Sequence, residues 1–509
     1  MKITIFIKNT VILIFTTLLL RTVGIIFRTY LADKIGSEGM GVYQLIFSVY
    51  MLAATFAVSG VCTAVTRLVS ENLDNGKRAI KQIMKKAVSV TLLVAIFSSV
   101  VVFFGANFIA NVLLKEPRAV LSLKILSFSL PFMGLSSSIR GYFIACRKTA
   151  MPSISQVVEQ AVRIGTILFC LYKTKGLGLT YSAAAVLLGD TVAETVSFFT
   201  SYILYRIDLK THDEGSKIKG IYKKIMSIAL PITGCGYLST TLHTAENLLV
   251  PLNLTKYYQS KERGLQLFGA VRGMAMPILF FPAGILNSIS TMLIPEVSEA
   301  AAKGRGRELN STITKTISIT GLLSVLTAIL FLFFGYDIAE LLYKDRDVGY
   351  ILRVLAPIVP FMYMENVASG ILKGLDCQMN MLGYNLFDTI IRIATVVIIL
   401  PRFGINGYLG IMITSNFLTS SLCFRQLKLR TGLGLDYVNL IMKPVFCGIL
   451  GGGAGWLVSL KISAIFPKLI IEVVAAISVF LIMANLFGLF NEYKKARIVK
   501  PTLALKSKY

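Results

Sequence analysis

The sequence of 509 residues is poor in the side chains on which most catalytic and metal sites depend. It has only two histidines, His212 and His243, which leaves little material for a histidine-based metal site or nucleophile. Its seven cysteines are scattered singly without CxxC spacing, so neither a zinc site nor a disulfide framework is indicated. No segment between its long apolar runs is long enough to form a soluble catalytic domain.

Acidic residues are also scarce, with 26 Asp and Glu against 52 Lys and Arg. A net charge of +26 is compatible with nucleic-acid binding, but the basic residues are not gathered on one exposed domain, so no nucleic-acid partner is predicted. Hydrophobic residues make up 55% of the chain and its mean hydropathy is +0.71. Such a composition is typical of an integral membrane protein.

Fourteen apolar stretches are each long enough to cross a bilayer, which takes roughly 20 helical residues. The first stretch is interrupted by arginines and has no evident cleavage site, so it is predicted to be a transmembrane helix and not a signal peptide. Lys and Arg are more abundant in the loops on the side of the two termini. The sequence therefore predicts a multi-pass protein of the cytoplasmic membrane with both termini in the cytoplasm.

An internal duplication is visible in the first twelve predicted spans. Leu121–Met133 aligns with Tyr350–Met362 at an offset of 229, and the same offset pairs Arg163 with Arg392. A second match, starting at Thr63 and Thr291, has an offset of 228. Because each copy has an even number of spans, both copies have the same orientation, as in parallel-repeat transporters whose binding site lies between the lobes.

The duplication predicts an all-α membrane protein with two pseudo-symmetric six-helix lobes and two additional C-terminal helices. Residues 1–206 are predicted to form an N-lobe with helices 1–6, and residues 207–432 a C-lobe with helices 7–12. Residues 433–491 contain helices 13–14 with a groove for a lipid tail, and residues 492–509 form a basic cytoplasmic tail.

Helix 13 contains the glycine-rich stretch GILGGGAGW. Gly448 and Gly452, and also Gly451 and Gly455, are four residues apart. Small residues at this spacing allow close helix packing, which is the simplest interpretation. The alternative is that a glycine-lined face leaves space for a lipid tail.

Several ionisable residues fall within predicted spans, where each costs at least about 2.5–3.5 kcal/mol unless it has a partner or a wet cavity. Glu159 and Arg163 are spaced i,i+4, as are Asp388 and Arg392, so structural ion pairs are predicted within each lobe. Asp190 and Glu194 have the same spacing but like charge. They need a cation from another helix, for which Lys124, Arg140 and Arg163 are the candidates.

The arginines of the first span differ, because that span contains no acidic residue. Arg21 and Arg28 are seven residues apart, so they project from one face about 10 Å apart. In a two-copy architecture they and Arg272 of span 8 are expected to converge on a central cleft. The alternative is that Arg28 snorkels to the outer interface and Arg272 pairs with Glu246. Clustered guanidinium groups bind multivalent oxyanions such as a diphosphate. Arg67, near the cytoplasmic end of span 2, is a further candidate for headgroup binding, with snorkelling as the alternative.

The order of RTVGIIFR in span 1, KIGSEGMGVYQLIFSVY leading into span 2, and TRLVSEN and PEVSEA at the ends of spans 2 and 8 resembles the multidrug/oligosaccharidyl-lipid/polysaccharide (MOP) exporter superfamily. Within it, the chain is most similar to the stage V sporulation protein B and MurJ-type lipid II flippases. The resemblance covers essentially the whole chain and includes the two extra C-terminal spans.

This resemblance implies a transporter, not an enzyme, that moves a polyprenyl-diphosphate-linked sugar across the membrane by alternating access. It implies that Arg21, Arg28 and Arg272 bind the diphosphate and sugar, and that helices 13 and 14 bind the lipid tail. It further implies a coupling cation, Na⁺ or H⁺, at an ion site for which Glu246, Asn385 and Asp388 are the nearest matches. No other cofactor is expected.

The expected partners are membrane lipid and the lipid-linked sugar, with cell-wall synthesis enzymes as a further interpretation and a monomer as the expected state. Three alternatives remain. A cation-coupled multidrug or other polysaccharide exporter of the same fold would need carboxylates to dominate the cleft. A membrane-embedded glycosyl or phosphate transferase would usually need an acidic metal-binding cluster. A scaffold for cell-wall enzymes would leave the intramembrane arginines unexplained.

Overall fold

The computed structural model describes residues 2–58, 60–73, 76–148, 150–209, 220–284, 303–432, 438–460 and 464–489, together with residue 462 and isolated positions between 285 and 302. Within these ranges every regular element is a helix and no strand occurs. The prediction of an all-α membrane protein is therefore confirmed for the described chain.

Sixteen α-helices are used below, numbered in chain order over the described residues. They are α1 Lys2–Val58, α2 Val61–Glu71, α3 Lys77–Phe108, α4 Ala119–Ser127, α5 Ser129–Ala145, α6 Ala150–Lys173, α7 Leu179–Asp208, α8 Ile221–Tyr258, α9 Lys261–Phe268, α10 Met276–Leu279, α11 Gly306–Tyr343, α12 Arg346–Leu355, α13 Val359–Gly374, α14 Gln378–Thr431, α15 Lys443–Ser459 and α16 Ile465–Leu486. Short π-helical segments lie at Ile109–Leu113, Gly269–Ala275 and Val438–Met442, and a 3₁₀ turn at Ala356–Ile358.

Ten helical stretches of the described chain are long and apolar enough to span a bilayer, or eleven if α4 and α5, bent by 41°, form one span. Two of these stretches, those of α1 and α14, each contain two predicted spans. A kink at Gly36 separates the two spans of α1, and a kink at Gly404 separates those of α14. Both glycines have positive φ angles, 69° and 57°, a conformation that a side chain disfavours. Predicted span 8, at 266–299, lies partly outside the described residues. The arrangement is compatible with fourteen spans.

The chain divides into two compact units, Met1–Leu252, called unit 1, and Asn253–Tyr509, called unit 2. Most of α8 belongs to unit 1, where it is hydrogen-bonded to α1. Thr244 Oγ1 donates to the Ser48 carbonyl at 3.1 Å, and Asn247 Nδ2 donates to Ser48 Oγ at 3.0 Å. The predicted lobe boundary between residues 206 and 207 follows the sequence repeat and stays a prediction.

Backbone geometry repeats at the offset found in the sequence. Lys115 and Lys344 both adopt the left-handed conformation, with φ of 52° and 51°, and they are 229 residues apart. Arg147 and Asp376, also 229 residues apart, both have a φ of 57°. Non-glycine residues rarely adopt this conformation, so its recurrence at equivalent positions supports the internal duplication.

Each unit also has an ion pair that involves the same position of the repeat. In unit 1, Arg118 Nη1 donates to Glu38 Oε1 at 2.8 Å, and in unit 2 Arg263 Nη1 donates to Asp347 Oδ2 at 2.6 Å. Arg118 and Asp347 are equivalent in the repeat, so the polarity of the pair is reversed between the units. The hydrogen bond with Asp347 raises the pKa of the Arg263 guanidinium, which keeps this pair charged.

The glycine-rich helix α15 packs closely on two neighbours. A Cβ at Gly451 or Gly455 would lie 2.7 or 2.6 Å from a carbonyl oxygen of α16. A Cβ at Gly448 or Gly452 would meet side chains of α11 at 2.5 and 2.6 Å. The packing interpretation of these glycines is therefore confirmed, whereas a lipid-tail groove on these two helices stays a prediction.

Candidate functional site

A cluster of ionisable side chains lies in unit 1 where α6, α7 and α1 meet. It is called the unit 1 polar cluster and consists of Tyr43, Glu159, Arg163, Asp190 and Glu194. Arg163 Nη2 lies 2.7 Å from Glu159 Oε1, and its Nε lies 2.9 Å from Asp190 Oδ1. Glu194 Oε1 is 4.0 Å from the same guanidinium, and the Tyr43 hydroxyl is 3.5 Å from Asp190 Oδ2. Three carboxylates thus surround a single arginine.

Arg163 is therefore the cation that the like-charged pair Asp190 and Glu194 requires. Of the other two candidates, Lys124 lies over the ring of Phe103 at 5.8 Å, and the charge of Arg140 acts on Glu194 from a greater distance. The Arg163 guanidinium therefore joins carboxylates of α6 and α7, and it offsets only part of their charge at bilayer depth. The structural role of the Glu159–Arg163 pair stays a prediction.

A second cluster in unit 2 consists of Glu365, Asp388, Arg392 and Ser415 and is called the unit 2 polar cluster. Asp388 is buried, accepts a hydrogen bond from Ser415 Oγ at 2.6 Å, and lies 3.7 Å from Arg392 Nε. Glu365 of α13 is close enough to Asp388 and Arg392 for their charges to act on it. This cluster thus also holds more carboxylates than guanidinium groups.

The two arginines of the first predicted span lie on α1 as the sequence indicates. Both side chains are partly buried. Arg28 lies close enough to Tyr43 for its charge to act on that hydroxyl, which places it beside the unit 1 polar cluster. The sequence analysis did not anticipate this relation, because the two residues are separated by the kink at Gly36.

The other two arginine candidates have different surroundings. Arg272 lies in the π-helical segment Gly269–Ala275, and its Nε donates to the buried Tyr408 hydroxyl at 3.0 Å. Single π-helical turns inside α-helices are frequent at functional sites. Arg67 is 65% exposed and pairs with Glu71 at 2.8 Å, which supplies a structural explanation for that residue.

The residues named for an ion site fall in both units. Glu246 is fully buried in unit 1, with its Oε2 3.8 Å from His243 Nδ1. Asn385 and Asp388 lie on α14 in unit 2, where Asn385 is exposed and Asp388 is buried. The ion site therefore stays a prediction. Among the described residues, no group of three or more His, Cys, Asp and Glu side chains has an arrangement suited to a metal ion.

The model of the polysaccharide biosynthesis protein family matches residues 6–301, more than half of the chain. The chain belongs to this family. The MatE family model matches residues 269–398, in the second copy of the repeat. These matches, with the relatives below, place the protein in the MOP superfamily, as the sequence analysis predicts.

Two relatives of this polysaccharide biosynthesis protein cover most of its length. Stage V sporulation protein B of Bacillus subtilis strain 168 is 23% identical over 505 residues, which cover 97% of each chain. The lipid II flippase MurJ of the same organism is 21% identical over 485 residues, which cover 88% of this chain and 87% of the relative.

Solved structures share its fold. A lipid II flippase MurJ in an inward closed conformation superimposes with a TM-score of 0.74, covering 95% of this chain and 99% of that chain at 15% identity. An inward-facing multidrug resistance MATE family transporter has a TM-score of 0.66 and covers 81% and 94% at 16% identity. The relatives with a stated activity are flippases and transporters, so the chain has the MOP transporter fold and belongs with transporters, not with enzymes.

Three members of these clusters, Tyr43, Glu365 and Ser415, were not identified from the sequence. Tyr43 has no feature in the sequence that separates it from the other aromatic residues of the second span. Glu365 is a lone acid within an apolar stretch, which is a signal, but its i,i+4 positions hold no basic residue. Only the packing of α13 against α14 brings Glu365 near Asp388 and Arg392.

Proposed function

We propose that this transporter is a lipid-linked oligosaccharide flippase, which moves a polyprenyl-diphosphate sugar across the cytoplasmic membrane by alternating access. Lipid II, for peptidoglycan or spore cortex, is the substrate we favour. Both termini lie in the cytoplasm in this proposal. The relationship to a lipid II flippase over 88% of the chain supports the substrate class, because that relative is named for this activity.

The single observation that carries the proposal is the pair of arginines on α1. Arg21 and Arg28 lie at bilayer depth in a predicted span without an acidic residue. A guanidinium at the centre of a membrane helix costs at least about 2.5–3.5 kcal/mol on insertion scales. An anionic headgroup that passes beside these side chains would contribute to offsetting that cost, and a diphosphate accepts the paired hydrogen bonds that guanidinium groups donate.

In this mechanism the arginines Arg21, Arg28 and Arg272 attract the diphosphate and the sugar, with Arg67 as an entry contact. The lipid tail stays in the bilayer beside α15 and α16. A coupling cation, Na⁺ or H⁺, is part of the proposal, with Glu246, Asn385 and Asp388 as its candidate ligands. We further propose that the protein acts as a monomer beside cell-wall synthesis enzymes.

Flipping of a fluorescent polyprenyl-diphosphate saccharide in reconstituted vesicles tests the proposal. We expect Arg21→Ala and Arg272→Ala to lower the initial rate at least tenfold, because each removes a charge-assisted contact to the headgroup. Arg206→Ala is the matched control, since Arg206 lies at the end of α7 over the ring of Tyr202. Wild-type rates in both arginine variants would remove these side chains from the mechanism.

A second candidate, a cation-coupled exporter of the same fold, is favoured by the unit 1 polar cluster, in which three carboxylates face one guanidinium. Such an excess of acid suits the binding of protons or Na⁺. The same vesicles distinguish the two candidates. Transport of a cationic dye driven by a Na⁺ or H⁺ gradient, with no flipping of the saccharide lipid, would favour the exporter.

A further inference from the structure

A cavity of about 650 Å³, lined by charged and tyrosine side chains, lies in unit 2, where α11 ends and α12 begins. Its lining contains no aliphatic side chain and consists of Tyr336, Asp337, Glu340, Arg346, Asp347 and Tyr350. The volume falls in the range of roughly 300–1,000 Å³ that is typical of small-molecule sites. The lining does not include Arg21, Arg28, Arg67 or Arg272, and it shares no residue with the two polar clusters.

Two of the lining carboxylates are held by cations that lie outside the lining. Lys468 of α16 donates from Nζ to Asp337 Oδ1 at 2.8 Å. Arg263 donates to both oxygens of Asp347, at 2.6 and 3.1 Å. Charge-assisted and bidentate hydrogen bonds of this kind fix the orientation of a carboxylate and balance its charge. The wall is therefore ordered and has no large excess of negative charge.

The two tyrosines are also held in place. The ring of Tyr336 packs against the backbone of α12 at Gly349, where a Cβ would lie 2.6 Å from its Cδ1. The Arg353 guanidinium carbon is 5.8 Å from the centre of that ring, and Tyr350 donates to Asn406 Oδ1 at 2.8 Å. Tyr336 and Tyr350 nevertheless remain 40% and 37% exposed. Their aromatic surfaces are thus accessible in a fixed arrangement.

The fixed carboxylates and the exposed tyrosine rings of the lining indicate which class of ligand the cavity can bind. A cation has little to gain, because the fixed carboxylates already have basic partners, and a phosphate finds only Arg346 among the basic lining residues. A sugar ring has a face of C–H groups, which packs on an aromatic ring, and an edge of hydroxyls, which pair with carboxylate and guanidinium groups. We propose that this cavity is a saccharide-binding site.

The choice of a saccharide over other polyhydroxylated molecules rests on the proposed function. In the proposed topology, the loop between α11 and α12 lies on the outer side of the membrane. The cavity would then bind the sugar portion of the substrate after translocation, or a glycan at the outer surface. Glu340 and Arg346, both exposed, lie on the lining in positions from which they reach such a ligand.

Ligand-observed NMR on the detergent-solubilised full chain tests this site. The probes are soluble chitotetraose, maltotetraose and inorganic pyrophosphate. We expect saturation transfer to at least one of the two saccharides and no displacement of it by pyrophosphate. Tyr336→Ala and Glu340→Gln should each weaken saccharide binding at least fivefold. Tyr181→Ala is the matched control, since Tyr181 is a 51% exposed tyrosine on α7 in unit 1, and it should bind as the wild type does.

Absence of saccharide binding, or binding that is unchanged in both cavity variants, would overturn the site. If Tyr336→Ala fails to fold, Glu340→Gln decides, because an exposed carboxylate tolerates amide replacement. Flipping measured on the same preparations separates the two proposals. A chain that binds a saccharide through Tyr336 and Glu340 but does not flip the lipid contradicts only the proposed function, whereas flipping without saccharide binding contradicts only the site.

Discussion

At the scale of single residues, Arg163 is the cation that the three carboxylates of the unit 1 polar cluster share. It lies within 4.0 Å of three carboxylates from two helices, and about a quarter of its side chain is exposed. Removal of one partner of a buried ion pair leaves the remaining charge unpaired, which costs far more than the pair contributes. The whole unit 1 polar cluster therefore depends on this guanidinium.

We expect Arg163→Gln to lower the free energy of unfolding by about 3–5 kcal/mol, the range measured when a buried pair loses one partner. Chemical unfolding in detergent, followed by circular dichroism, gives the comparison. Arg206→Gln serves as the control and should lie within about 0.5 kcal/mol of the wild type, as is usual for exposed positions. Equal stability of the two variants would show that water already compensates the three carboxylates.

At the scale of elements, the two added C-terminal helices, α15 and α16, pack on the rest of unit 2 through the glycines of α15. Gly451 and Gly455 face α16, whereas Gly448 and Gly452 face α11. Lys468 of α16 then bridges Asp337 of α11 and Glu472. The close approach of the α15 backbone to its neighbours and the shared Lys468 ammonium group together position α15 and α16 against α11.

Alanine substitutions along α15 test this packing. Gly455→Ala places a Cβ 2.6 Å from the Glu472 carbonyl oxygen and 2.8 Å from Phe334 Cζ, so we expect a loss of about 1–3 kcal/mol from overpacking. Gly453 is the matched control, because a Cβ added there would have no neighbouring atom within 4 Å. Gly453→Ala should be neutral or stabilising by up to about 1 kcal/mol, because alanine favours the helix. The prediction is wrong if both variants unfold at the same denaturant concentration.

At the scale of the whole molecule, the duplication conserves backbone geometry more strictly than side-chain chemistry. Left-handed residues recur at offset 229, while the ion pair that involves Arg118 in unit 1 and Asp347 in unit 2 reverses its polarity between the units. Two copies with an even number of spans place equivalent loops on the same side of the membrane. The charge distribution of the loops then determines which side that is.

Labelling with a membrane-impermeant thiol reagent tests this orientation in intact cells that express a variant without the seven native cysteines. We expect Lys34→Cys, in the first predicted outer loop, to be labelled from outside. Lys85→Cys, in α3 at the predicted cytoplasmic end of the third span, should react only after the membrane is permeabilised. Both lysines are exposed, so accessibility to solvent does not distinguish them. The reverse pattern would place both termini outside the cytoplasm.

Much of the fold is predictable because bilayer-spanning helices have a length and composition that a sequence displays directly. The kinks at Gly36 and Gly404, which join two predicted spans into one helix each, were not predicted. The sequence shows that a glycine is present, but it does not show whether that glycine kinks a continuous helix or ends one, because glycine allows either conformation. The glycine pairs of α15 were correctly interpreted as packing positions, since a four-residue spacing places small residues on one helix face.

The charged sites were predictable only in part. Pairs at i,i+4, such as Glu159 with Arg163, depend on one helix and can be recognised in the sequence. The contacts of Arg163 with Asp190, of Tyr43 with Asp190 and of Lys468 with Asp337 join residues on different helices, and no local pattern identifies them.

The sequence by itself determined that this protein is a helical, duplicated membrane transporter, because apolar length, repeat offset and the distribution of basic residues are properties of the chain. Only the tertiary structure decided which acids share Arg163, that Glu365 lies near Asp388, and that Tyr336 and Glu340 line the same cavity. Charge compensation and cavity formation depend on which helix faces are packed together, and that choice is made by the whole fold.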